Sequence, residues 1–269
     1  NAVVPWNLFL ADRLEAAREE LAARLPGWLA VWYELEALSS LANLAYLNPH
    51  YTFATLGDAG APFRGAQLGH PLLPDGVKVR NDFTIPALGT VDIITGSNMA
   101  GKSSFLRTLG VNLALAYAGG PCDAEKLETI IFRLFSSIRL SDSVTDGISY
   151  FYAEVRRLKA LLEALRAPDP RPLFFLIDEI FRGTNNRERL IGSRAYVAAL
   201  SGGRGVGVVA THDLELVQLA ETLPGVRNFH FRDEIAGGRM VFDYTLRPGP
   251  SPTTNALKIM RAAGLPVGE

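Results

Sequence analysis

The chain has 269 residues, 48% of them apolar, a formal charge of -1 and a single cysteine. That length and composition suffice for one generous α/β domain with an appended element. The charge balance says little about partners; a nucleic-acid binder often carries a basic excess, so any DNA contact has to be local or made by other segments. Cys122 alone excludes an internal disulfide framework and fits a buried thiol in a reducing, cytoplasmic compartment. No signal-peptide pattern, bilayer-spanning run or zinc spacing is seen, and a start at Asn1 fits a piece of a longer protein.

From Trp6 to about Leu47 apolar residues recur at helical spacing. Two segments are expected, split at Pro26-Gly27: Leu8, Leu14, Leu21 and Leu25 lie on the first, and Trp32, Leu35, Leu38, Leu41, Leu44 and Ala45 on the second. Nothing there carries chemistry, so residues 1–50 read as a helical connector arm and 51–269 as a separate domain. Between His50 and Gly89, Gly, Pro and short strand-like pieces such as Val77–Val79 and Phe83–Ile85 predict an antiparallel sheet leading into the apolar run Val91–Ile94.

That run ends in Thr95-Gly96-Ser97-Asn98-Met99-Ala100-Gly101-Lys102-Ser103-Ser104, where Gly96, four residues, then Gly101-Lys102-Ser103 form a P-loop pattern. The two glycines let the backbone wrap an anion, and the helix beginning near Gly101 offers unpaired N–H groups and a positive dipole end. Lys102 reaches phosphate oxygens and the Ser103 hydroxyl ligates Mg²⁺ in such a loop. All residues from Gly96 to Ser104 are therefore candidate nucleotide contacts.

Beyond the loop, Phe105, Leu106, Leu109, Leu113 and Ala116 make one helical face ending at Gly119-Gly120-Pro121. Phe132–Ile138 is strand-like, Ser141–Ser149 polar, and Val155, Leu158, Leu161, Leu162 and Leu165 mark a helix that stops at Pro168. Arg133, Arg139, Arg156, Arg157 and Lys159 read as a solvated face. Leu173–Ile177 is a buried strand ending in Asp178-Glu179, followed by a helix from about Arg187 to Leu200. Val206–Ala210 is another buried strand, ending in Thr211-His212-Asp213; Leu214–Leu223 is helical. Val226–Phe231 and Met240–Leu246 predict a hairpin around Gly237-Gly238, and Ala256–Ala263 a closing helix. Alternating strands and helices argue for a mostly parallel central sheet flanked by helices.

Chemistry in such sheets gathers at the carboxyl ends of strands. Three apolar strands end in the P-loop, in Asp178-Glu179 and in His212. Asp178 suits a Mg²⁺ partner, Glu179 the base that orients an attacking water, and His212 a sensor of the terminal phosphate. The catalytic candidates are Glu179, His212 and Lys102; the metal candidates are Ser103 and Asp178.

The P-loop TGSNMAGKSS, the strand end LIDEIFRGTNNRER (Leu176–Arg189) and ATHDLEL (Ala210–Leu216) resemble the ATPase domain of MutS-type mismatch-repair proteins, within the ABC ATPase class. The resemblance runs from about Leu35 to Pro266 and includes Gly147–Phe151 with Glu154, similar to the family's signature motif. It implies a P-loop NTPase of ABC type with ATP and Mg²⁺ as cofactors. It also implies a homodimer with two composite sites, in which Ser149 of one protomer reaches the nucleotide held by the other and Asn185 and Asn186 lie at the seam. Val79 and Tyr244 match the positions that sandwich the adenine. Ala100 stands where the family often has Gly. No mismatch-reading segment is present, and LGHPLLP, NDFTI and FDYTLRPGPS look closer to a divergent bacterial branch, whose upstream part is sometimes membrane-spanning. Coupling to DNA repair, with double-stranded DNA touched through other segments and no membrane contact by this chain, is the implied role. The alternative is a nucleotide-gated DNA-binding or scaffold module in which slow hydrolysis acts as a timer.

Overall fold

Strands that are apolar at nearly every position demand cover on both faces, and the computed structural model supplies it. It describes residues 5–57, 60–97, 99–138, 150–181, 184–236 and 239–251. Two compact units divide the chain, one up to Pro49 and one from His50.

The first unit is a single helix, α1 (Trp6–Leu47), about 63 Å long at 1.5 Å per residue. Two segments were expected, yet Pro26 sits inside one continuous helix. A proline there removes one hydrogen bond to Ala22 and crowds its carbonyl, but the helix is exposed, so water can take up the freed acceptor. Ala-, Leu- and Glu-rich turns on both sides carry it through. None of its side chains is buried, and Trp6, Trp28 and Trp32 are all more than half exposed.

The second unit runs β1 (Thr52–Phe53), β2 (Thr55–Leu56), β3 (Phe63–Leu68), β4 (Asn81–Ile85), β5 (Val91–Thr95), α2 (Lys102–Tyr117), β6 (Pro121–Cys122), β7 (Lys126–Thr129) and β8 (Arg133–Ser137). It continues through α3 (Tyr150–Arg166), β9 (Leu173–Asp178), α4 (Asn186–Leu200), β10 (Val206–Ala210), a 3-10 turn at Leu214–Gln218, α5 (Leu219–Thr222), β11 (Val226–Ala236) and β12 (Arg239–Pro248). The central sheet has six strands in the order β12-β11-β5-β10-β9-β8, parallel except for the β11–β12 hairpin. One face, with Ile94, Phe174, Leu176 and Val208, packs on α2; the other, with Ile93, Phe175, Ile177 and Val209, packs on α3 and α4.

Two expectations need correction. Val77–Val79 is no strand: the chain turns at Pro74, whose carbonyl accepts from Val77 N and Lys78 N, and Lys78 Nζ is drawn 2.6 Å from the fully buried Asp123 carboxylate. The second sheet, ordered β2-β7-β3-β4, draws β7 from beyond α2 and pairs it parallel to β2, so it is not purely antiparallel. Of the expected solvated face, Arg156, Arg157 and Lys159 are exposed, Arg157 also donating to Ser136 O with its guanidinium over the Phe135 ring at 4.3 Å, whereas the half-buried Arg133 donates to the Ala164 and Arg171 carbonyls. Arg139 and the closing helix Ala256–Ala263 lie outside the described residues.

Aromatic edges join the two sheets: Phe83 meets Phe229 at 5.6 Å and Phe63 meets Phe174 at 5.5 Å between centroids, while Phe83 also meets Phe105 of α2 at 5.4 Å. A carboxylate also hides in the P-loop strand. Asp92, 0% exposed, is the cross-strand partner of Arg227, whose Nε and Nη2 each donate to it at 2.7 Å. Burial raises the Asp92 pKa against the pull of Arg227.

Candidate functional site

Register brings the chemistry to one edge. Ala210 pairs with Ile94 on one side and Asp178 on the other, so β5, β9 and β10 end level. Thr211 N donates to Ile94 O and Glu179 N to Ala210 O, both at 2.9 Å, carrying the ladder past the strand ends. The P-loop, the acidic pair and His212 follow from that edge.

The loop turns as its glycines require. Gly96 has φ 145° and Gly101 φ 106°; a Cβ on Gly96 would sit 2.9 Å from the Phe231 carbonyl oxygen. Met99 is also left-handed, at φ 74°, and 81% exposed, whereas Ala100 is buried, so its methyl is accommodated. Lys102, at the first position of α2, is buried with Nζ 2.6 Å from Gly96 O and 2.9 Å from Ser97 O. The ammonium thus sits inside the turn of the loop. Ser103 Oγ donates to Asp178 Oδ2 at 2.7 Å.

Beside it, Glu179 has φ 69°, and its Oε1 lies 2.7 Å from His212 Nδ1. The contact is a hydrogen bond whose direction follows the tautomer of the ring, and it ties the imidazole to the carboxylate. Glu179 is nearly buried and His212 half-exposed.

A cavity of about 540 Å³ opens here. Ser97, Met99, Gly101, Lys102, Ser103, Ser104, Asp178 and Glu179 line it, as do Val79 and Tyr244, whose ring lies beside Gly101. Gly96, Ala100 and His212 are not among the lining residues, and His212 contacts Glu179, which is. Asn98 and Ser149 lie outside the described residues. Asn185 caps α4, its side chain accepting from Glu188 N at 3.0 Å, and Asn186 is the first residue of that helix.

Several residues on the cavity went unassigned in the sequence. Asn81 is buried and two-pronged: Nδ2 donates to Tyr244 O at 3.0 Å and Oδ1 accepts from Leu246 N at 2.7 Å. It holds β12 where Tyr244 turns left-handed, at φ 52°. His70, Lys78, Arg107 and Thr108 also line the space. The His70 pKa is lowered, first by burial and then by the charges of Arg107 and Lys78. Arg107 could have been found, since it follows Ser103 by four residues and Ser104 by three on the same helix; Asn81 and His70 carried no signal beyond their place in a loop.

The cradle fits a phosphate chain: glycines where a Cβ would collide, a buried ammonium within it, and Ser97 Oγ, buried without a protein hydrogen-bond partner. A hydroxyl and a carboxylate side by side suit Mg²⁺, which takes one or two carboxylates and completes its shell with phosphate and water. Among the described residues no cluster of three or more His, Cys, Asp or Glu could hold a metal alone. No helix among them is long and apolar enough to cross a membrane.

A buried parallel strand, a glycine-bounded loop and a helix whose first residue is an inward lysine define a P-loop nucleotide-binding domain. The family model for MutS domain V matches residues 92–268. The chain is 32% identical over 95% of its length to the DNA mismatch repair protein MutS of Natronomonas pharaonis. It is 33% identical over 96% to that of Sorangium cellulosum, and 31% over 97% to DNA mismatch repair protein MutS 2 of Halobacterium salinarum. The chain belongs to the MutS family and carries its domain V. It spans 30%, 28% and 30% of the length of these relatives, respectively.

Proposed function

We propose that this domain, as an ABC-type ATPase, binds ATP with Mg²⁺ and hydrolyses it, working as a homodimer within DNA mismatch repair. The observation that carries the reading is the meeting of three pairs beside one cavity: Lys102 with the P-loop carbonyls, Ser103 with Asp178, and Glu179 with His212. Lys102 and the loop amides bind phosphate oxygens, and Val79 and Tyr244 flank the base. Ser103 and Asp178 hold Mg²⁺, which supplies charge neutralisation at the phosphates when bound. Glu179 takes the proton of the attacking water through the carboxylate oxygen not engaged by His212, and His212 fixes its orientation.

Ser149 of a second protomer completes the site in this reading, and segments outside the chain touch double-stranded DNA. The family membership supports both roles. Steady-state phosphate release with Mg²⁺ tests the hydrolysis. Turnover per chain should rise with protein concentration, as a dimeric site requires, and fall about 10²- to 10⁴-fold in Glu179→Gln. Absence of turnover at high concentration would refute the reading.

A further inference from the structure

Glu179 and Phe181 are both left-handed, with φ of 69° and 57°. Non-glycine residues stay in that region only where their surroundings over-determine them, and here two helices do so. Glu154 on α3 is 3% exposed, and its Oε1 accepts from Phe181 N at 2.7 Å. The Phe181 ring meets Phe151 of α3 and Tyr196 of α4, each at 6.3 Å between centroids. Gly192 leaves it room, since a Cβ there would lie 2.8 Å from Phe181 Cε2. Tyr196 Oη donates to Leu158 O at 2.7 Å and ties α4 back to α3.

We propose that Glu154 is a positioning residue for Glu179. Its carboxylate grips the Phe181 amide, which fixes the left-handed turn that directs the Glu179 carboxylate to His212. Because Glu154 lies near the start of α3, the base takes its orientation from that helix rather than from β9 alone. The proposal rests on the reading of Glu179 as the base.

The test compares the purified chain with Glu154→Gln, which keeps an acceptor oxygen for Phe181 N, and Glu154→Ala, which does not. Glu154→Ala should lose about a hundredfold in kcat, the effect of a displacement near 1 Å, with KM for ATP changed by less than about twofold. Glu154→Gln should recover most of that loss. Amide hydrogen exchange over Glu179–Phe181, measured without nucleotide, should accelerate in Glu154→Ala and stay protected in Glu154→Gln.

Wild-type kcat with unchanged exchange in Glu154→Ala, equal losses in both variants, or a KM that rises as kcat falls would each overturn the proposal. Absence of turnover in the wild type would instead overturn the ATPase reading, and the exchange result alone would then decide whether Glu154 holds the turn.

Discussion

Two sets of cavity-lining residues are held by different rules. Lys102, Asp178 and Glu179 are buried, and each is held by contacts of 2.6 to 2.9 Å at level strand ends. Val79 and Tyr244 are each 41% exposed and come from a turn before β4 and from β12, whose backbone Asn81 holds at Tyr244 and Leu246. Backbone N–H groups aligned on one anion, with a charge beside them, are what a contiguous loop on a rigid strand supplies. A planar base asks only for flat apolar surface, which two distant segments can offer.

Lys102→Ala should break the comparison on its stronger side. Loss of charge-assisted hydrogen bonds worth about 2–3 kcal/mol should weaken ATP on the order of a hundredfold by calorimetry. Tyr244→Ala removes stacking worth about 1–2 kcal/mol and should weaken every adenine nucleotide roughly tenfold, whatever its phosphate number. Asn81→Ala should cost only about threefold in affinity, because it frees the Tyr244 backbone without deleting the ring, and a fluorescence titration would resolve it.

The smallest effect concerns pH. The His70 pKa is lowered on folding, so the unfolded chain takes up its proton first, and the associated stability is complete above about 6.5 and lost as pH falls through the folded value. Protonation would also forfeit the acceptor at Nδ1 that Leu72 N uses at 3.2 Å. The wild-type melting temperature should therefore drop more between pH 7.5 and 5.5 than that of His70→Gln.

The same contrast decides what could be read in the sequence. The P-loop, Asp178-Glu179 and His212 were legible because each closes an apolar strand, and parallel pairing then brings the strand ends level whatever the loops do. Helix faces such as Phe105, Leu106, Leu109 and Leu113 were legible for the same periodic reason. Asn81 was not, since its partners lie more than 160 residues away and nothing local marks them. Asp92 was hidden inside an apolar run because its counter-ion Arg227 is supplied by β11, a pairing that no local pattern encodes. Pro26 misled for a different reason: proline removes one hydrogen bond and crowds one carbonyl, a local cost that a 42-residue helix absorbs without ending. The grip of Glu154 on Phe181 depends on α3 meeting a turn 27 residues further on, which spacing alone does not encode.

The most direct measurement of the site is a titration of the purified chain with adenosine, ADP and ATP in the presence of Mg²⁺, repeated in Lys102→Ala and Tyr244→Ala. The account predicts that wild-type affinity rises with each added phosphate. It predicts that Lys102→Ala flattens this rise while adenosine binding persists, and that Tyr244→Ala lowers all three alike. Equal affinities for the three ligands in the wild type, or a Lys102→Ala chain that still favours ATP as strongly, would contradict it.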